Sequence, residues 1–362
     1  MLLLCPRPYE NAASSVTVEG METTAQFIPV LIVGFAAALG LTPLSRQIAM
    51  RLGVVDKPNL PRKTHKDHKP MMGGLAIYVG LCLSLLLFSP PRHIAELLVI
   101  MGGAGLLALV GLLDDRYNLS ILSRFGAMIL AALLLVAVGI QIRLFGTPWI
   151  DVPLTVVWVV ALCNAFNFLD NMDGLTAGLS AISAASFLLI ALSQGQILVS
   201  LMAAAILGSA LGFLTYNFNP ASTFMGDMGA LTLGYLMATL AIKLNFQTQP
   251  LSVTWMVPIL ALALPIFDIN LVVWTRLAER RSPFEGGRDH TSHRLVALGF
   301  NPRRAVLILY LACALFGGLA LLVANAPAPL AFALGLMGLG LMGLAAWGMV
   351  WIRQTIQKGP AA

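Results

Sequence analysis

The sequence predicts an all-α, polytopic integral membrane protein, and three observations predict it. Of the 362 residues, 58% are hydrophobic and only 10% are charged, where a soluble globular chain carries about a quarter charged residues. Mean hydropathy is +0.86, more apolar surface than a soluble fold of this length can hide. The apolar residues also come in runs of about 20, the length needed to cross a bilayer as a helix.

Eleven such runs predict about eleven transmembrane helices, near 25–45, 72–89, 94–113, 124–141, 152–169, 176–193, 197–217, 230–247, 252–275, 303–323 and 330–352. The hydrophilic stretches between them are brief, so one transmembrane domain is expected over 25–353. It is flanked by an N-terminal tail, 1–24, and a short C-terminal tail, 354–362. The Leu run at the start has no basic segment before it, so a cleaved signal peptide is not expected.

Alternating sides divides the loops into two sets. One set, with the N-terminus, carries Arg7, Arg92 and Arg143. The other carries eighteen of the twenty-two Lys and Arg, and Lys243 sits within a run. Positive loops stay in the cytoplasm, which predicts an N-terminus outside and a C-terminus inside. The net charge of +6 thus reflects topology, and no nucleic-acid partner is expected. The four cysteines are scattered, three of them in apolar runs, and read as small core residues.

The carboxylates follow the same division. Asp114, Asp115, Asp170, Asp173 and Asp227 all fall at cytoplasmic ends of runs, in loops far apart in sequence. Ionisable groups at membrane depth are costly and mark function by default. Adjacent Asp114 and Asp115 repel, so in a partly desolvated site they want a cation or a shared proton. They suit Mg²⁺ binding or general-base work.

In NAFNFLDNMDGL, 164–175, helical spacing puts Asn164, Asn167 and Asn171 on one stripe, with Asp170 and Asp173 beside it. Five polar residues within ten, at the end of an apolar helix, exceed what helix packing needs. Asp227 is the only carboxylate between Asp173 and Asp268. It lies between glycines that let backbone approach a ligand closely, just before an expected helix N-terminus that favours anions. The late loop 276–304 holds Arg280, Arg281, Arg288, Asp289, His290, His293 and Arg294, a cationic density suited to a pyrophosphate. The early basic loop, with Lys63 and His65, says little by itself, and Asp268 reads either as a structural group or as a partner behind the site. The donor set is rich in carboxylates, which favours Mg²⁺ or Mn²⁺ over Zn²⁺.

Taken in order, DD at 114–115, NAFNFLDNMDGL at 164–175, NFNPASTFMGDMGALTLG at 217–234 and RSPFEGGRDHTSHRL at 281–295 resemble the polyprenyl-phosphate N-acetylhexosamine-1-phosphate transferases. These bacterial membrane enzymes begin cell-wall and surface-polysaccharide assembly. The resemblance implies Mg²⁺-dependent transfer of a sugar-1-phosphate from a UDP-sugar to undecaprenyl phosphate, with release of UMP. It implies Asp227 as the metal ligand, and Asp114 with Asp115 as the groups that deprotonate or position the lipid phosphate. It implies Asn167, Asp170 and Asp173 on the nucleotide-sugar side, and Asn217 and Phe224 around uracil; Asn164 of the same motif is a further candidate for substrate binding. His290 and His293 match the family's histidine motif, with Arg288 beside them, and Lys63 and His65 belong to its first cytoplasmic loop.

The chain departs from the family pattern twice. The histidine motif often reads His-x-His-His, whereas here Ser292 takes the middle position, and Asn171 stands where glycine is usual. Within the family, UDP-N-acetylglucosamine is the expected donor, because the late loop is arginine-rich and lacks the adjacent histidines of the UDP-MurNAc-pentapeptide branch. A secondary transporter is the reading from another class, but its carboxylates would lie near the midplane and its halves would repeat. A homodimer stays open at this point.

Overall fold

The computed structural model describes residues 27–56, 68–246, 249–284 and 286–358. In chain order the elements are α1 (Phe27–Leu52), β1 (Val55–Asp56), β2 (Lys69–Pro70), α2 (Gly73–Phe88), α3 (Pro91–Tyr117), α4 (Ile121–Ala137), α5 (Pro148–Leu169), α6 (Leu175–Ser193), α7 (Ile197–Asn217) and α8 (Gly226–Lys243). There follow α9 (Leu251–Thr254), α10 (Met256–Ala261), α11 (Ala263–Ala278), α12 (Thr291–Ala297), α13 (Pro302–Asn325) and α14 (Ala328–Lys358).

Among the described residues, seven helices are long and apolar enough to cross a membrane, or eight if the bent run α9–α11 is one span; α2 and α4 are shorter apolar helices. Every predicted run falls on a helix or on that bent run. The predicted N-terminal tail, Lys63 and His65 lie outside the described residues.

Three expectations need correcting. Helices outrun the apolar windows: α1 continues to Leu52, α3 to Tyr117 and α14 to Lys358, because helical hydrogen bonding does not stop where hydrocarbon does. Asp114 and Asp115 therefore lie in the last helical turns of α3, and Asp227 lies inside the first turn of α8. The predicted run 252–275 is not one rod, since it bends by 78° at Leu262. Pro265 has no N–H to give the Ala261 carbonyl, and the Ser183 hydroxyl donates to that carbonyl instead, at 3.0 Å. The early loop also closes with a two-residue antiparallel pair, Val55 opposite Pro70, a small exception to an all-α chain.

The bundle is centred on α6, α7 and α8, which are buried along most of their length, while α14 shows most of its surface. α1 lies along α7 and α2, α3 and α5 flank α8, and α13 packs on α6. Lipid offers no hydrophobic drive between helices, so close backbone approach has to supply the packing. At Gly208 and Gly212 the space for a side chain is taken by the backbone of α1 around Leu31 and Phe35.

On the aspartate-bearing face, the last helix is tied to the late loop by charge. Asp289 is buried and accepts from Arg276 at 3.0 Å, Arg281 at 2.8 Å and Arg353 of α14 at 2.6 Å. Arg294 adds bonds to the Asp289 carbonyl, to Met349 and to Thr275. Burial works to raise the Asp289 pKa, but the hydrogen bonds from Arg276, Arg353 and Arg281 outweigh it and hold the carboxyl down at about 2. A folded carboxyl below its unfolded value of about 4 stabilises fully above that value, and the contribution is lost as pH falls from about 4 toward 2. Thermal unfolding in detergent should therefore show the protein losing stability across that window, and less steeply in Asp289→Ala. At neutral pH, Asp289→Ala leaves Arg276 buried without its counter-ion and should cost about 3–5 kcal/mol.

Candidate active site

The face that carries the aspartates is formed by helix ends: the C-terminal ends of α3, α5 and α7 and the N-terminal ends of α4, α6 and α8. Asp114, in the last turns of α3, is 7% exposed and is held by the Leu119 N–H at 2.7 Å and by Arg124 of α4 at 2.9 Å. The same guanidinium lies 3.8 Å from the Asp227 carboxylate. Arg124 thus bridges the two carboxylates. Its position at the start of a predicted apolar run gave no sequence signal for this role.

Asp115 points the other way along the α3 terminus. Its carboxylate accepts from the backbone N–H of Asp227 at 3.1 Å and of Met228 at 3.4 Å. The first turn of α8 has N–H groups with no intrahelical partner, and here a side chain from another helix meets them. Gly226 makes that contact possible. Its φ is +69°, and the place of a Cβ is occupied by the Asp115 carboxylate and the Met71 carbonyl.

The stretch before Asp227 is held from the early loop. Phe224 N–H donates to the Pro70 carbonyl at 2.8 Å, and the Gly73 and Gly74 N–H groups donate to Phe224 and Met225, both at 3.0 Å. The Thr223 hydroxyl adds a bond to Pro70 at 2.9 Å. Gly73 and Gly74 thus have a packing role that the sequence did not disclose.

From α5, Asn167 donates to Asp227 at 2.8 Å. Asn164, one turn deeper, donates to its own helix at Val160 and does not join the carboxylates. Asp170 caps the helix end. Burial, then the negative charges of Asp227 and Asp173, push its carboxyl up to about 7. Asp173 accepts from the Asn219 amide and the Ala221 N–H, both at 2.9 Å, and Arg303 of α13 in turn holds Asn219. Asn217 is buried, with its carbonyl on the Gly174 N–H at 3.1 Å and its amide on the Thr223 carbonyl at 3.0 Å. It therefore braces the two loops with both ends of its amide, while the Phe224 ring stays half-buried nearby.

The histidines approach from the late loop. His290 Nδ1 lies 2.8 Å from Asp268, whose other oxygen accepts from the Thr291 N–H and hydroxyl, both at 2.7 Å. Asp268 is therefore the partner that orients His290, which settles the choice that the sequence left open. His290 stands edge-on to Phe168 of α5 and to His293. Burial, then His290 and the exposed Arg288, pull the His293 pKa down to about 4, so its ring is neutral near pH 7. Asp114, Asp115, Asn167, Asp170 and Asp227 thus converge, with Asp173 at one edge and the histidines at another.

The late loop is less available than its composition suggests. Arg276, Arg281 and Arg294 are engaged by Asp289, Glu279 and backbone carbonyls, so three of its seven arginines hold the loop together.

Among the described residues, no three His, Cys, Asp or Glu side chains form a closed metal centre. The arrangement still fits a hard divalent cation. Mg²⁺ takes one or two carboxylates and completes its shell with phosphate oxygens and water. Asp114 and Asp115 have their oxygens bonded to protein donors, whereas Asp227 is 30% exposed and keeps one oxygen 3.8 Å from Arg124, beside the Asp114 carboxylate.

Residues 97–245 match Glycosyl transferase family 4. The chain is 35% identical over 302 residues to the probable undecaprenyl-phosphate N-acetylglucosaminyl 1-phosphate transferase of Bacillus subtilis, covering 80% of this chain and 83% of that protein. It is 30% identical to the undecaprenyl-phosphate alpha-N-acetylglucosaminyl 1-phosphate transferase of Yersinia pestis, over 79% and 81% of the two chains. It is also 30% identical to the decaprenyl-phosphate N-acetylglucosaminephosphotransferase of Mycolicibacterium smegmatis, over 83% and 84%. Likeness at this level over most of both chains, with the aspartates gathered at one rim of the bundle, makes this chain a member of the polyprenyl-phosphate N-acetylglucosamine-1-phosphate transferase family and an enzyme of sugar-phosphate transfer.

Proposed function

We propose that the protein transfers N-acetylglucosamine-1-phosphate from UDP-N-acetylglucosamine to undecaprenyl or a related polyprenyl phosphate, releasing UMP at the cytoplasmic face of a bacterial inner membrane. The observation that carries this reading is the convergence of four carboxylates from α3, α5 and α8 at one rim of an apolar bundle. Eighteen of twenty-two basic residues belong to that rim's loops, which supports a cytoplasmic orientation, an outer N-terminus and eleven crossings with α2, α4 and α8 as short spans. A site at the rim admits a lipid phosphate sideways from the bilayer and a soluble nucleotide from water.

In the reaction, an oxygen of the lipid phosphate attacks the sugar-bearing phosphorus, and the bond from that phosphorus to the UMP oxygen breaks. Asp227 would hold Mg²⁺ or Mn²⁺ with Asn167 orienting its carboxylate, and the metal would neutralise charge on the pyrophosphate. Asp115 fixes the position of Asp227 by capping α8. Asp114 and Arg124 stand on the acceptor side, where the guanidinium can leave the carboxylates for an incoming phosphate. Asp170 and Asp173 order the turn on the nucleotide-sugar side, and His290, held by Asp268, presents its ring with His293 toward the donor. Arg288 is an exposed cation beside the histidines in that loop. Phe224 offers a ring face to the base, and Asn217 acts there by bracing its loop. Lys63 and His65 belong to the same side by their place in the chain. Positioning and electrostatics supply most of the catalysis in such a transfer.

Purified protein should release UMP from UDP-N-acetylglucosamine when polyprenyl phosphate and Mg²⁺ are present, and a chelator should abolish this until Mg²⁺ or Mn²⁺ is restored. A donor panel including UDP-N-acetylgalactosamine and UDP-MurNAc-pentapeptide tests the sugar; turnover with none of them would overturn the reading. Asp227→Asn is expected to abolish turnover while leaving thermal stability near that of the parent protein, and near-normal activity would remove Asp227 from the metal role. In Gly226→Ala a methyl group would push on Asp115 and Met71. Displacing Asp227 by about 1 Å should cost roughly 100-fold in kcat, whereas Gly40→Ala, on an open face of α1, should be silent.

A further inference from the structure

The two positions at which the chain departs from its family pattern are in contact. The Ser292 hydroxyl donates to the Asn171 side-chain carbonyl at 2.6 Å, although 121 residues separate them. The polarity of this bond is fixed by its surroundings. The Asn171 amide donates to the Phe168 carbonyl at 2.8 Å, and a carbonyl only accepts, so the NH₂ end must face Phe168 and the oxygen must face Ser292. Ser292 is 1% exposed, so its hydroxyl is shielded from bulk solvent.

The bond joins two pieces of the site. Asn171 lies in the turn between Asp170 and Asp173, and Ser292 lies between His290 and His293 at the start of α12. On its other side α12 is already fixed, because Thr291 and His290 are held by Asp268 of α11 and Arg294 by Thr275 and Met349. Asp173 is fixed likewise by Asn219 and Ala221. Each half is thus anchored to its own helices, and the Ser292–Asn171 bond sets one half against the other.

We propose that Ser292 and Asn171 are a positioning pair that sets the histidine helix against the aspartate turn, so that a nucleotide-sugar donor meets both at once. The inference rests on the transfer reaction proposed above. A buried hydrogen bond whose partner is left unsatisfied is worth enough to change donor handling by about tenfold.

Steady-state kinetics with UDP-N-acetylglucosamine and polyprenyl phosphate tests the pair. Ser292→Ala and Asn171→Ala should each lower kcat/KM for the donor about tenfold, leave KM for the lipid acceptor unchanged, and in combination do no further harm. Ser292→Thr keeps the hydroxyl and should recover most of the loss. Additive effects, equal damage to acceptor KM, wild-type donor kinetics in Ser292→Ala, or no recovery in Ser292→Thr would each overturn the pairing. Thermal stabilisation by UDP-N-acetylglucosamine, read in detergent, is the parallel measurement that needs no turnover. Parent protein that is stabilised while both single variants need about tenfold more nucleotide supports the pair. A variant that fails to fold hands the decision to the other single variant and to Ser292→Thr. Failure of the reaction itself is seen separately, because the parent protein would then neither release UMP nor be stabilised, and the pair would fall with it.

Discussion

Four carboxylates gathered where a membrane bundle meets water have to be met by donors, and the rest of the site is arranged around that requirement. Charge at this depth is expensive when unpaired, yet a phosphate-transferring site needs negative oxygens that are not fully neutralised. The structure resolves the conflict by dividing the work. Asp114 is closed by Arg124 and a backbone N–H, and Asp115 is closed by the Asp227 and Met228 N–H groups in the first turn of α8. Asp227 is held on one oxygen by Asn167 and keeps the other more open. The satisfied carboxylates therefore build a frame for the unsatisfied one.

That frame depends on backbones lying closer together than ordinary side chains permit. Gly226 gives Asp115 access to the start of α8, and Gly74 packs against the backbone at Met228 and Gly229. The end of the early loop at Pro70 and the first residues of α2, Gly73 and Gly74, bond to the chain from Thr223 to Met225. The position of Asp227 is thus set from three directions: by α3, by α5 and by the early loop. Rigid placement of this kind is what transfer by positioning requires, and it explains why glycines crowd the motif around Asp227.

Much of this was legible in the sequence. Apolar runs located the helices because lipid imposes one length scale on all of them, and the motif aspartates were recognisable because carboxylates are rare in such a chain. The misses have a common origin. Arg124 stood at the start of a run with no assigned role, the bracing by Asn217 of two loops was not foreseen, and Asp268 had no assigned partner. Each side chain's role is decided by what faces it across the bundle, and one sequence carries no record of facing. The bend at Leu262 was hidden for another reason: hydropathy averages over a window, whereas the break depends on one missing N–H at Pro265 and one hydroxyl at Ser183.

The arginines of the late loop show how one composition can serve two purposes. Read as charge density they suggested a pyrophosphate cradle, and read by count they followed the positive-inside rule. In the structure, Arg276, Arg281 and Arg353 converge on Asp289, and Arg294 takes the carbonyl of that same residue. Asp289 immediately precedes His290, so the cluster fixes the backbone from which His290 and His293 project. The last helix contributes through Arg353 although it lies far from the carboxylates. Guanidinium groups suit this role because their planar fork bonds two acceptors at once and stays charged when buried. The arginines of this loop therefore hold the histidine helix in place, and an arginine lost from it would be felt first as a displaced histidine.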